Sequence, residues 1–145
     1  AKAMGDFLSS QGVQFNGVAT AGDNFYLRLS STHDMRWQTM FEDMYDAKKV
    51  ALPFYIALGN HDYDDGKAPI ELAYARRNPH SRWKLPGRWY RVDFPSFDPF
   101  VTLLVLDSNK PRLSDLDWER QKWWIEANLA QTSGQHWTIC IAHHP

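Results

Sequence analysis

A chain of 145 residues is long enough for one domain with a buried core, and 43% hydrophobic with 23% charged residues is the profile of a soluble globular protein. Its 16 basic and 17 acidic side chains give a formal net charge of −1, with no long basic tract to bind nucleic acid. Cys140 is the single cysteine, so an internal disulfide is excluded.

In chain order, residues 1–10 read as the tail of a helix and residues 15–21 as a short strand that ends in Gly22-Asp23. Ser31, Thr32 and Asp34 offer caps for a helix over residues 34–47, whose stripe is Trp37, Met40, Phe41 and Met44. Residues 52–58 form an apolar run that stops at Gly59 and predict a buried strand. Residues 59–69 predict a loop, residues 70–77 a short helix and residues 88–94 an alternating strand, followed by Pro95 and Pro99. The most apolar run, residues 100–106, predicts another strand and is far too short to cross a bilayer. Ser114 with Asp117 three residues later is a capping-box signature. The helix it opens would turn Trp118, Trp124, Ile125 and Leu129 inward and end at Gly134, before a last strand over residues 137–142. Strands and helices alternate without repeats or an internal boundary, which predicts an α/β sandwich. The chain opens on Ala1 and not on Met, so the lack of a leader says nothing of targeting. Both ends read as cut.

Polar residues cluster at three strand ends. The first carries Gly22-Asp23-Asn24-Phe25-Tyr26, the second Gly59-Asn60-His61-Asp62 and the third His143-His144-Pro145. In α/β sheets ligands bind beyond the carboxyl ends of strands. Converging there, these segments would bring Asp, Tyr, Asn and His into one crevice, a donor mixture suited to Fe, Zn or Mn. Each cluster also has a plain structural explanation: a turn at Gly22-Asp23, a core aromatic at Tyr26, an exposed loop pair at His143 and His144. The three sets together, in this order and each after an apolar strand, carry the metal reading.

These residues resemble the metallophosphoesterase signature in its purple acid phosphatase form. Phe41-Glu42-Asp43, Ala73-Tyr74, Ser81-Arg82-Trp83, Tyr90-Arg91 and Gln121 with Trp124 extend the resemblance, toward the tartrate-resistant branch, over nearly the whole chain. The tyrosine of the Gly-Asp-x-x-Tyr segment is its specific part. The resemblance implies a four-layer α/β/β/α metallophosphoesterase sandwich, incomplete at both ends, with residues 1–145 as the central part of a single catalytic domain. It implies that Asp23 bridges two metals, that Tyr26 binds Fe(III) as a phenolate, and that Asn60 and His143 bind a divalent Fe, Zn or Mn. His143 is preferred to His144 because the family's histidine is followed by one residue and then proline. His61 would be catalytic and not a ligand, with Asp62 as an orienting partner.

The activity so implied is acid hydrolysis of phosphate monoesters, with a metal-bound hydroxide as nucleophile. The substrate would be a phosphorylated small molecule or protein, and the location secreted, periplasmic or lysosomal. The alternatives are a phosphodiesterase of the same superfamily, or a non-catalytic fragment or relative. The family's Asp-x-Gly motif would lie before Ala1 and its Gly-His-x-His motif after Pro145, so this chain alone is expected to be inactive. Cys140 stands where the family has valine, and the 107–114 stretch is shorter than the mammalian regulatory loop. Among the other cations, His80, Arg82 and Arg88 are candidates to meet an anion, set against a reading as solvated surface charges.

Overall fold

The computed structural model describes residues 1–131 and 137–145. Helix α1 spans Lys2–Ser10 and leads to β1, Val18–Thr20. A π-helical turn, Trp37–Glu42, precedes β2, Phe54–Ile56. Then come a four-residue helix α2, Asn60–Tyr63, a 3-10 turn, Asp64–Gly66, and α3, Lys67–Arg77. Strands β3 (Trp83–Lys84), β4 (Tyr90–Phe94) and β5 (Val101–Val105) follow, then a 3-10 turn at Lys110–Arg112, α4 (Asp115–Leu129) and β6 (Trp137–Ile141).

Two three-stranded sheets result. In the first, β1, β2 and β3 run parallel, with Val18 opposite Phe54 and Phe54 opposite Trp83. In the second, β4 is antiparallel to β5 and β5 parallel to β6, with Leu103 opposite Val92 and Ile139. The sheets share one core. Phe54 and Ile56 of the first are buried in the same cluster as Leu103 and Val105 of the second, and the Tyr90 hydroxyl donates to the Ile56 carbonyl at 3.0 Å. Burying side chains of this size contributes about 1.5–3 kcal/mol each. That gain fixes β2, whose burial continues without a break through Ala57 and Leu58 to the turn at Gly59.

Several elements differ from the sequence expectation. The helix over 34–47 shrinks to one π-helical turn. Trp37 and Phe41 are buried as its stripe requires, but Met44 is half-exposed. After this turn the Arg82 guanidinium donates to the carbonyls of Tyr45 at 2.5 Å and Val50 at 2.6 Å and pairs with Glu42 at 2.5 Å, tying the stretch that follows to β3. Arg82 is therefore a part-buried staple and not a solvated charge, while Arg88 pairs with Asp117 at 3.2 Å. Residues 60–77 are largely helical where a loop was expected up to 69, because Pro69 falls in the first turn of α3, where no intrahelical N–H is needed. Strand β3 was not foreseen. In α4 the Ser114 hydroxyl accepts from the Asp117 N–H at 3.0 Å, as the capping signature predicts. Only Gln121 of that helix is fully buried, and Leu129 is exposed rather than inward. The expected stop at Gly134 lies outside the described residues. Among the described residues, no helix is long and apolar enough to cross a membrane.

Candidate metal centre

The carboxyl ends of β1 and β2 are pressed together by two glycines. A Cβ on Gly22, whose φ is +91°, would come within 2.7 Å of the Gly59 backbone and of His143 Nδ1. One on Gly59 would lie 2.2 Å from Asp23 Oδ1. Asp23 itself adopts φ 55°, a left-handed conformation that aspartate tolerates better than most residues.

Asp62 clamps the two turns. It is fully buried, and its Oδ1 accepts from the N–H groups of Asn24 at 2.8 Å and Phe25 at 3.1 Å. Its Oδ2 accepts from Gly59 N–H at 2.8 Å and from Asn24 Nδ2 at 2.9 Å. The bond to Gly59 is one half of a capping box opening α2. Burial pushes the Asp62 carboxyl above its ordinary range, and the N–H donors pull against that rise. Behind it lies Glu71, also fully buried, with neither carboxyl oxygen hydrogen-bonded among the described residues. Burial, and then the neighbouring Asp62 charge, raise the Glu71 carboxyl well above its ordinary value.

The four residues read from the sequence as ligands come together. Asp23 Oδ2 accepts from the Tyr26 hydroxyl at 3.2 Å, and Asp23 Oδ1 lies 3.5 Å from His143 Nε2. His143 Nε2 is also 3.0 Å from Asn60 Oδ1. Tyr26 is 64% exposed, which removes its reading as a core aromatic. The Asp23 charge, with a smaller contribution from desolvation, holds its phenol above the usual value. His143 Nδ1 meets the Ala21 carbonyl at 2.7 Å, so Nδ1 carries the hydrogen. In the neutral ring, Nε2 then turns a lone pair toward two oxygens that are acceptors themselves. A second proton on the ring, a cation, or an Asn60 amide turned so that its Nδ2 donates would each reconcile this placement. An oxygen and imidazole donor set of this kind fits a borderline or hard metal ion. His144 is turned elsewhere, its Nε2 3.0 Å from Asn109 Oδ1.

His61 is held on the same rim. Its N–H donates to Asp23 Oδ1 at 3.0 Å and its ring tilts at 44° over Tyr26, centroids 4.8 Å apart. Nδ1 lies 3.0 Å from Asp64 Oδ2, and the Arg112 guanidinium meets Asp64 Oδ1 at 3.0 Å. Neither Asp64 nor Arg112 was singled out from sequence. The Asp64–Arg112 contact, 48 residues apart, leaves no spacing to read, and Asp64, three residues after His61, reads as part of an ordinary Asp-Asp-Gly turn.

A second buried network ties this rim to the other sheet. Tyr63 donates to Asp107, whose other oxygen accepts from the Asn109 side chain at 3.0 Å, and Asn109 also donates to the Leu58 carbonyl at 2.9 Å. Burial and the bond to Asp107 push the Tyr63 phenol far up. A cavity of about 310 Å³ beside Asp23 and Tyr26 is floored by Met40, Phe41 and Phe54. A larger one of about 500 Å³, between Tyr55, Trp83 and Tyr90, touches none of the site residues.

The calcineurin-like phosphoesterase family model matches residues 5–145. The chain belongs to that family. Within it, the chain is 29% identical to tartrate-resistant acid phosphatase type 5 of Oryctolagus cuniculus, over all of this chain and 48% of the relative. It is 32% identical to purple acid phosphatase 3 of Arabidopsis thaliana, over 97% of this chain and 41% of the relative. The chain thus spans about half the length of the curated relatives it matches. A solved structure titled GAP50, the anchor in the inner membrane complex of Plasmodium, superposes with a TM-score of 0.69 at 19% identity. It covers 97% of this chain and 48% of its own length, and it shows the shared fold. The chain is accordingly a calcineurin-like phosphoesterase family member of α/β fold that resembles purple acid phosphatases.

Proposed function

We propose that residues 1–145 are the central part of one catalytic domain, and that the whole protein hydrolyses phosphate monoesters at acidic pH with a dinuclear metal centre. The observation that carries this reading is the division of the Asp23 carboxylate. One oxygen faces Tyr26, and the other faces the His143 side, where Asn60 also lies. A carboxylate is the side chain able to lie between two cations, and its two oxygens here address two different sets of donors.

On this reading Asp23 and Tyr26 would hold Fe(III), the ion a phenolate favours, and Asp23, Asn60 and His143 would hold a divalent Fe, Zn or Mn. Such a pair, when bound, supplies Lewis acidity toward phosphate oxygens and lowers the pKa of a coordinated water. The chain's own residues do the rest. Asn60 contributes a neutral oxygen, so the charge on its side of the site is not cancelled. Asp62 keeps the turns of β1 and β2 in register without facing the crevice. His61 stands beside the crevice, free of the ligand set, and holds a proton at Nε2 for the departing oxygen. The substrate is a phosphorylated small molecule or protein, and by family likeness the protein acts in a secreted, periplasmic or lysosomal setting.

The test uses the complete protein with 4-nitrophenyl phosphate and bis(4-nitrophenyl) phosphate at acidic pH. The monoester should be the better substrate, and His61→Ala should lower kcat by about 10²–10⁴-fold, the typical worth of a positioned general acid. Faster turnover of the diester, or none of either by the metal-loaded protein, contradicts the proposal.

A further inference from the structure

We infer that Asp64 and Arg112 form a positioning pair that fixes which nitrogen of His61 faces the substrate; this rests on the reading of His61 as proton donor. The contact joins two separate parts of the fold. Asp64 opens the 3-10 turn after α2, and Arg112 closes the 3-10 turn that follows β5. Asp65 at φ 55° and Gly66 at φ 70° reverse the chain just beyond Asp64. One Asp64 oxygen meets His61 Nδ1 and the other meets Arg112, both at 3.0 Å. The guanidinium thus holds the carboxylate from the side opposite the imidazole.

A carboxylate only accepts, so His61 Nδ1 carries a hydrogen and Nε2 is the nitrogen left to exchange a proton. The Tyr26 ring at 4.8 Å limits rotation on one side, and the backbone bond from His61 to Asp23 fixes the root of the side chain. An orienting carboxylate performs this duty for the imidazole of a catalytic triad. The side chains of His61, Asp64 and Arg112 are 43%, 41% and 50% exposed. Ion pairs so open to water add little to stability. Loss of the pair should therefore be felt in chemistry and not in folding.

The experiment has two arms. In the first, long-range ¹H–¹⁵N spectra of the metal-free chain are recorded at a pH where His61 is neutral. Wild type should show a hydrogen on Nδ1, and Asp64→Ala should revert to the Nε2–H form that free histidine prefers. In the second, the metal-loaded complete protein is assayed on a phosphate monoester. Asp64→Ala should lower kcat roughly 10–100-fold with KM and metal content unchanged, the usual cost of losing an orienting partner. Arg112→Gln should lower kcat by about 1.5–5-fold, the worth of one exposed ion pair. A wild-type His61 that carries its hydrogen on Nε2, or an Asp64→Ala enzyme with unchanged kcat, overturns the inference. If the wild-type protein hydrolyses no phosphate ester, the functional reading fails, while the spectra still decide the orienting contact.

Discussion

The end of β2 and the end of β6 reach one site by different means. Phe54, Ile56, Ala57 and Leu58 are all buried, and the turn that follows is locked by four hydrogen bonds to the buried Asp62. Among the described residues strand β6 pairs only with β5, and its Trp137 is 73% exposed and its Ile139 48%. His143 is placed by a bond to the Ala21 carbonyl, and its neighbour His144 by bonds to Ser108 and Asn109. One half of the donor set is thus built into the core, and the other half is pinned to it at its tip. Substitutions behind Asn60 should therefore cost folding, whereas those at His143 should cost the metal and little else.

The largest effect expected is at Asp62. Asp62→Ala strands the N–H groups of Asn24, Phe25 and Gly59 in a buried place, and it should destabilise the fold by about 3–5 kcal/mol. Denaturant unfolding measures it, and a loss below about 1 kcal/mol, the net worth of one ordinary hydrogen bond, would show that the β2 end is not clamped as described.

Glu71 tests the same core with the opposite sign. Its folded-state pKa is raised, so the native state keeps a proton that the unfolded chain gives up above the ordinary value of 4.5. Stability from this group is therefore greatest below about pH 4.5 and declines as the pH rises toward the folded value. Glu71→Gln removes that decline and should stabilise the protein at neutral pH by about 1–2 kcal/mol, with no gain at pH 4. Urea titrations of both proteins at pH 4 and pH 7 check this. A variant less stable than wild type at pH 7 would mean that the buried carboxylate is charged and satisfied.

Much of this was legible in the sequence because the ligand-bearing turns follow strands whose apolar runs stop abruptly at Gly22 and Gly59. The Ser114 cap was legible for a local reason, since donor and acceptor lie three residues apart. The stripe over 34–47 has the right period, yet only Trp37–Glu42 is helical, and the stretch after it is held by Arg82, 37 positions beyond Tyr45. The burial of Lys67 and Glu71 was hidden likewise, since nothing near them in sequence announces the packing of α3 over Asp62. At the site itself, the polar clusters at three strand ends held Asp23, Tyr26, Asn60, His61 and His143, and the family resemblance singled these residues out within them. The partners that aim His61 arrive from Asp64 and Arg112, 48 residues apart, and only the folded chain brings them together.

The central claim is that Asn60 and His143 address a metal while His61, next in sequence to Asn60, does not. Metal analysis by mass spectrometry on the complete protein tests it most directly. Wild type and His61→Ala should each hold two metal ions per chain, and Asn60→Ala and His143→Ala should each lose the divalent one. A His61→Ala protein that loses metal as readily as Asn60→Ala, or an Asn60→Ala protein that keeps both, would contradict the account.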